Sequence, residues 1–196
     1  MSEISFIKIS NAERLPIDIK EVKRYLKMSK TESVVEELIS EAINEVYKKS
    51  SLNAVFTRTK IQVENERIDL LFDTVNSRDL SKNLSSCKEA FVFCATLGTE
   101  IDRLIIKYSK IEPSKAVIVD AVSSALIESF CDYINDYLGK EEKLCPRFSC
   151  GYGDFSITHQ ASILKALDTA KKVGVMLSES YMMSPAKTVT AIIGIK

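Results

Sequence analysis

The chain has 196 residues, and its 27 Lys and Arg balance 27 Asp and Glu, so the formal net charge is zero. This balance argues against a nucleic-acid binder, which would carry a basic excess. With 45% hydrophobic residues, we expect one globular domain over 1–196. The N-terminus has no apolar signal core, and Asp120 interrupts the longest apolar run. These features predict neither secretion nor a membrane span, and a cytoplasmic protein.

The first quarter of the chain predicts two helices. The segment "PIDIKEVKRYLKM" favours a short helix that begins near Asp18. Ser29 and Glu32 then have the spacing of a capping box. Behind them, apolar residues recur at 3.6-residue spacing from Val34 to Tyr47, which indicates an amphipathic helix packed on a core.

The next segments predict strands. "AVFTRTKIQV" and "RIDLLFDTV" flank the polar "ENE", a pattern typical of an antiparallel hairpin. A short helix capped by Ser77 follows, and then "EAFVFCATLG" predicts a buried strand that ends at Gly98.

The second half of the chain predicts helices and a closing strand. The helices are "TEIDRLIIKYS", a long helix over 114–138, and a third over 158–173 that Gly174 ends. A turn at Ser184-Pro185 leads to the β-rich "KTVTAIIGI". About five strands and five helices without regular alternation predict an α+β fold, with a mainly antiparallel sheet flanked by helices in a single domain.

The long helix carries one polar stripe on an otherwise apolar surface. Asp120, Ser124 and Glu128 lie at i, i+4 and i+8 and so stack along one side. Periodicity leaves two interpretations open, a solvated face and a functional one.

Five cysteines occur without a C-x-x-C pair, which favours reduced thiols in the cytoplasm over a disulfide framework. Cys145 and Cys150 are five apart and could share a metal, although two buried or loop thiols are the simpler interpretation. The single histidine, His159, stands at a helix start, and we expect a capping or surface residue.

The segment "RFSCGYGDFS", residues 147–156, is the strongest candidate for a binding site. Glycines on both sides of Tyr152 permit positive φ and close approach of a ligand to the main chain. Arg147 offers a planar fork for a carboxylate or phosphate, and Tyr152 a flat face. Together they suit a small anionic ligand with an aromatic group. The alternative is a tight surface turn with a solvent-facing arginine.

Two linked blocks carry a resemblance to a known family. "R-F-S-C-G-Y", residues 147–152, resembles the R-x-x-x-G-Y signature of the reactivation domain of cobalamin-dependent methionine synthase. Downstream, "GVMLSESYMMSPAKTVTAIIG" is similar to that domain's second block, and the helix around Glu128 aligns without gaps. The resemblance is strong over 115–194, vaguer over 1–110 with its helices at 18–50, and looks closest to short, free-standing forms of the domain.

The resemblance implies a bent antiparallel sheet and a function. Such a domain binds S-adenosylmethionine and supports reductive methylation of cob(II)alamin to methylcobalamin, with an electron from a flavodoxin- or ferredoxin-like donor. Here the cobalamin would be carried by a partner, a methionine synthase subunit reactivated in trans. Two alternatives remain: another corrinoid methyltransferase as client, or a non-catalytic module that binds or senses an adenosyl ligand.

The resemblance also assigns roles by position. Arg147 would hold the ligand carboxylate, and Glu128 would lie near its ammonium and sulfonium groups. The backbone near Ser149 would meet the adenine, and Gly151 would permit that approach. Cys150 belongs to the same binding loop, but it stands where the family often has proline, so we expect a looser loop with an oxidisable thiol.

The expected corrin-facing surface consists of Tyr152 with Met182 and Met183. We expect no catalytic acid or base and no metal ligand, because a methyl sulfonium needs neither to lose its methyl group. The closing strand ends in "AIIGIK", where the fused enzyme continues with further ligand contacts, and its N-terminal aspartate contact has no counterpart. We therefore expect weak ligand affinity, or affinity completed by the partner.

Overall fold

A computed structural model describes residues 3–9, 15–28 and 33–196, with side chains from residue 35 in the last range. The predicted capping box, Ser29 and Glu32, lies outside these residues. In chain order the helices and strands are β1 (Ser5–Ile9), α1 (Ile19–Tyr25), α2 (Ser33–Lys49), β2 (Leu52–Lys60), β3 (Gln62–Glu64), β4 (Arg67–Asp69), β5 (Thr74–Asn76), α3 (Arg78–Leu84), β6 (Glu89–Thr96), α4 (Thr99–Ile111), α5 (Pro113–Leu138), α6 (Gln160–Ala166), α7 (Thr169–Lys172), β7 (Met176–Leu177), β8 (Met183–Ser184) and β9 (Thr188–Ile195).

The central sheet is antiparallel, with strand order β1-β2-β6-β9. Side chains alternate across its strands, so each strand contributes to both faces. In β6, for example, Phe91 and Phe93 face one hydrophobic core, while Val92 and Cys94 face a second. The apolar run that predicted a buried strand thus reflects a sheet covered on both sides.

The two faces of the sheet are covered differently. Helices α1, α2, α4 and α5 lie on one face, and α5 packs against the other three. The three-stranded sheet β3-β4-β5, helices α3 and α6, and the β7-β8 pair lie on the other side. The predicted α+β class with an antiparallel sheet is confirmed. No helix in the described part of the chain is long and apolar enough to cross a membrane.

Several helices predicted from local signals are confirmed. They are the long helix α5, which begins at Pro113, and the two short helices capped by Asp18 and Ser77. The Ser77 hydroxyl accepts a hydrogen bond from Leu80 N at 3.0 Å, as an N-cap residue does.

Two predictions at element level were wrong in detail. The predicted hairpin is restricted to β3 and β4, which pair around Asn65 at φ +56°, because β2 pairs with β1 and β6 instead. The helix predicted over 158–173 is interrupted: a 3₁₀ turn at Ile157–His159 precedes α6, and Asp168 at φ +48° separates α6 from α7. Strand β1 was not predicted.

The segment 144–148 positions the loop that contains Gly151, Tyr152 and Gly153, here called the glycine–tyrosine loop (residues 149–156). It runs antiparallel to the end of β9, where Phe148 N donates to Ile192 O and Ile192 N donates to Phe148 O, both at 2.9 Å. Cys145 N also donates to Gly194 O at 2.8 Å. The chain then leaves β9, so the loop begins where this short pairing ends.

Candidate functional site

A pocket of about 440 Å³ lies where β9, the glycine–tyrosine loop and α5 meet. This volume falls in the range of small-molecule sites, roughly 300–1,000 Å³. The lining residues are Glu128, Arg147, Phe148, Ser149, Cys150, Tyr152, Gln160, Met183, Thr188, Val189 and Thr190.

The structure brings most of the predicted site residues to this pocket. Six of the eight line it, namely Glu128, Arg147, Ser149, Cys150, Tyr152 and Met183. The other two, Gly151 and Met182, are absent from the lining. Glu128, Met183 and residues 147–150 and 152, which are distant in the sequence, are thus neighbours in space.

Arg147 lies at the charged end of the pocket. Its Nη2 donates to Glu128 Oε2 at 2.7 Å, and its Nη1 donates to Asp132. Burial by itself lowers the pKa of the Arg147 guanidinium, but the hydrogen bonds to Asp132 and Glu128 outweigh it and raise the pKa overall. The side chain is 27% exposed, so the interpretation as a solvent-facing arginine is wrong.

The polar stripe of α5 is partly exposed, with Asp120 at 53% and Glu128 at 40%, and it also anchors two other segments. Lys187, just before β9, places its Nζ 2.8 Å from Asp120 Oδ1 and 2.9 Å from Ser124 Oγ. Glu128 on the same stripe holds Arg147. One helix therefore binds both the loop and the start of β9.

The two glycines beside Tyr152 have different roles. Gly151 has φ +89°, and a Cβ added to it would meet nothing within 4 Å. The positive φ agrees with the prediction. No other part of the described protein fills the space beside the Gly151 Cα, so that space is open to a ligand. Gly153 has φ +52°, and a Cβ there would lie 2.5 Å from Asp79 Oδ2. Gly153 is therefore the glycine of the pair that lies against another side chain, that of Asp79.

Asp154 ties the loop to helix α3. Its carboxylate accepts hydrogen bonds from Ser77 Oγ at 2.5 Å, Arg78 N at 2.9 Å and Asp79 N at 3.2 Å. These bonds, that from Ser77 first, lower the pKa of Asp154 from 3.8 to about 2. The aspartate of the motif thus holds the loop in place instead of facing the pocket.

Cys150 is buried, at 9% exposure. Burial raises the pKa of its thiol to about 12, which disfavours the reactive thiolate. The expectation of a readily oxidised Cys150 is therefore wrong. Cys145 is also buried, and its Sγ lies 3.4 Å from that of Cys87. Within the described ranges, no group of three or more His, Cys, Asp and Glu side chains is placed to hold a metal ion.

The role predicted for His159 needs correction. It precedes α6, but its side chain caps nothing. The ring is stacked on Phe155, with centroids 5.5 Å apart, and Nδ1 lies 2.8 Å from Asp73 Oδ2. Only 22% of the side chain is exposed, so this histidine joins α6 to the β4–β5 connection.

The three residues of the expected corrin-facing surface differ in exposure. Tyr152 is 66% exposed and still lines the pocket, and Met182, between β7 and β8, is 63% exposed. Met183 is half-buried and reaches the pocket lining. The two methionines, treated alike in the sequence analysis, therefore occupy different positions.

Sequence analysis missed several contributors to the site. Asp132 continues the α5 stripe at i+12, so its spacing could have identified it. Lys187 and Gln160 gave no local signal, because their contacts depend on how β9 and α6 pack. Thr188 and Thr190 were part of the predicted strand, but their position at the pocket depends on the edge where the 144–148 pairing stops.

The fold and the site together define an α+β domain with a ligand-sized pocket at the edge of an antiparallel sheet. A solved structure has this fold: the crystal structure of the MetH reactivation domain bound to AdoHcy matches with a TM-score of 0.78 and 17% identity. The match covers 98% of this chain and 78% of that chain. No family model and no curated protein matches the sequence. The predicted resemblance is confirmed for the fold.

Proposed function

We propose that this protein binds S-adenosylmethionine in the pocket and supports reductive methylation of cob(II)alamin to methylcobalamin on a partner. The partner would be a cobalamin-dependent methionine synthase subunit, reactivated in trans. One observation carries the proposal: Arg147, Tyr152 and Glu128 line one ligand-sized pocket. Support comes from the fold, shared with a domain whose structure was solved with AdoHcy.

The residues present suit such a ligand. A guanidinium has five N–H donors, and Glu128 and Asp132 together occupy two of those on Arg147. The remaining donors are available to a ligand carboxylate, and the two acidic side chains favour a nearby ammonium or sulfonium. Phe148, Met183 and Val189 add apolar wall to the pocket.

S-adenosylmethionine supplies a methyl group on a positively charged sulfur, and the flavodoxin- or ferredoxin-like donor supplies the electron that the partner's cobalamin needs to accept it. The sulfur leaves as a neutral thioether, so the protein has no proton to move. Its task is to orient the methyl group and exclude water. Exposed Tyr152 and Met182 provide an apolar, adaptable rim on which a flat macrocycle would rest. The five free thiols favour a reducing cytoplasm.

Calorimetry with S-adenosylmethionine, with and without the cobalamin-loaded partner, tests the proposal. We expect saturable one-to-one binding that tightens with the partner, and methyl transfer once a low-potential reductant is added. No binding in either condition would contradict it. Binding without transfer to any corrinoid protein would support the adenosyl-sensing alternative, and transfer only to a different corrinoid methyltransferase would identify another client.

A further inference from the structure

One buried polar group in the pocket has no partner. Gln160 lines the pocket and is only 5% exposed. Its Oε1 is buried and accepts no hydrogen bond from any described residue. A buried polar group left unpaired costs stability, so native proteins keep few of them. The last torsion of a glutamine side chain is broad, so the amide can rotate to present Oε1 and Nε2 together to the pocket.

The main chain beside Gln160 is also unpaired on its outer edge. Ile192 uses its N–H and C=O to bind Phe148 on the side of β9 away from β6. Backbone groups two residues apart in a strand point to the same side, so those of Thr190 face this edge too. Thr190 has no backbone partner there among residues 3–9, 15–28 and 33–196, and it lines the pocket.

The pocket lining therefore offers two kinds of polar group. Arg147 and Glu128 supply charged groups, whereas Gln160, Thr188 and Thr190 supply uncharged donors and acceptors. The first set suits the zwitterionic amino-acid part of a ligand. The second suits a neutral heterocycle that carries both donors and acceptors on one edge.

We infer that Gln160 determines base specificity by pairing with the edge of adenine that carries the 6-amino group. A glutamine amide pairs bidentately with adenine, accepting from N6 and donating to N7. This inference rests on the proposed function, since it assigns the base of the same ligand. Adenine would then donate the hydrogen bond that Gln160 Oε1 does not receive from any described residue.

The test compares S-adenosylhomocysteine with its inosine analogue, in which a carbonyl oxygen replaces the 6-amino group. We expect the wild-type protein to bind the adenine compound about tenfold more tightly. Gln160→Met keeps the length of the side chain and removes the amide. It should weaken binding of the adenine compound about tenfold, leave the inosine analogue within about threefold, and so abolish the discrimination.

The controls separate recognition from folding. Gln160→Met removes an unpaired buried carbonyl, so the melting temperature should stay or rise, and Gln160→Leu repeats the test with a second apolar side chain. The exposed Gln62 on β3 provides Gln62→Met as a matched control with wild-type discrimination. Discrimination retained in both Gln160 variants, or absent in the wild type, would overturn the inference. A wild-type protein that binds neither compound would instead overturn the proposed function itself.

Discussion

Arg147 is held by two acidic residues on α5, and this arrangement fixes its side chain before any ligand arrives. A guanidinium oriented in this way loses little conformational freedom on binding a carboxylate. Its position suits an anchor for the charged end of the ligand. The family signature predicted the residue, but its contacts with Glu128 and Asp132 required the structure.

Arg147→Ala should weaken S-adenosylmethionine binding at least tenfold, because truncating a buried, hydrogen-bonded charge costs roughly 2–5 kcal/mol. Arg147→Lys keeps the positive charge but loses the planar guanidinium, so its affinity for S-adenosylmethionine should lie between those of the wild type and Arg147→Ala. Calorimetry measures both, and Arg103→Ala, a 73% exposed arginine on α4, is the control. A folded Arg147→Ala protein with unchanged affinity would exclude the anchoring role.

Asp154 should make part of the stability depend on acid pH. Its pKa is lowered on folding from 3.8 to about 2, so its contribution is present above about pH 4 and is lost as pH falls toward 2. In urea unfolding, Asp154→Asn should be less stable than the wild type at pH 7, and this difference should shrink between pH 4 and pH 2. A difference that stays constant with pH would show that the charge of Asp154 does not stabilise the N-terminus of α3.

Among the helices and strands, those set by local signals were predictable and those set by pairing were not. Helix α5 has a continuous apolar surface and a proline at its start, so sequence gave its limits. Strand β2 was assigned to the wrong partner, since its alternation is equally compatible with β3–β4 and with the central sheet. The break between α6 and α7 was not predicted, because the residue with positive φ at this point is an aspartate, Asp168, and not a glycine.

The contact between β9 and α5 gives a prediction at this scale. Lys187 is 15% exposed and bridges Asp120 and Ser124, so Lys187→Met should release the start of β9 from the helix. Because Asp120 is 53% exposed and stays hydrated, we expect a loss of only about 1 kcal/mol. Amide hydrogen exchange at 186–190 should nevertheless accelerate clearly.

Asp120→Asn is the matched variant for this contact, and the two changes together should cost less than their sum. Full additivity, or unchanged exchange at 186–190, would show that the ion pair does not hold the strand.

At the scale of the whole molecule, the candidate site draws on α5, the loop after it, α6 and the last strand. The sequence identified the loop through a signature whose spacing is local, and Glu128 through the polar stripe of α5 and the alignment of that helix. It did not identify Gln160 or Lys187, because their positions depend on packing between segments distant in the chain. Two of the predicted site residues, Tyr152 and Met182, are largely exposed.

Tyr152→Ala tests this division between pocket and rim. Tyr152 is two-thirds exposed, so its loss should change S-adenosylmethionine affinity less than about threefold, while methyl transfer to the cobalamin-loaded partner slows at least tenfold. Calorimetry and a single-turnover transfer assay give the two numbers. The equally exposed Leu71, on the β4–β5 connection, provides Leu71→Ala as a control. A Tyr152 variant defective only in ligand binding would contradict the proposed rim.

Helix α5 also acts as a spacer of fixed length. It binds Lys187 through Asp120 and Arg147 through Glu128, and eight helical residues separate these two contacts by about 12 Å. Inserting one residue between them would rotate one contact by about 100° relative to the other, so both could no longer face the same side. The residue count between 120 and 128 must therefore stay constant in related chains, in addition to the apolar character of the buried Val122 and Leu126.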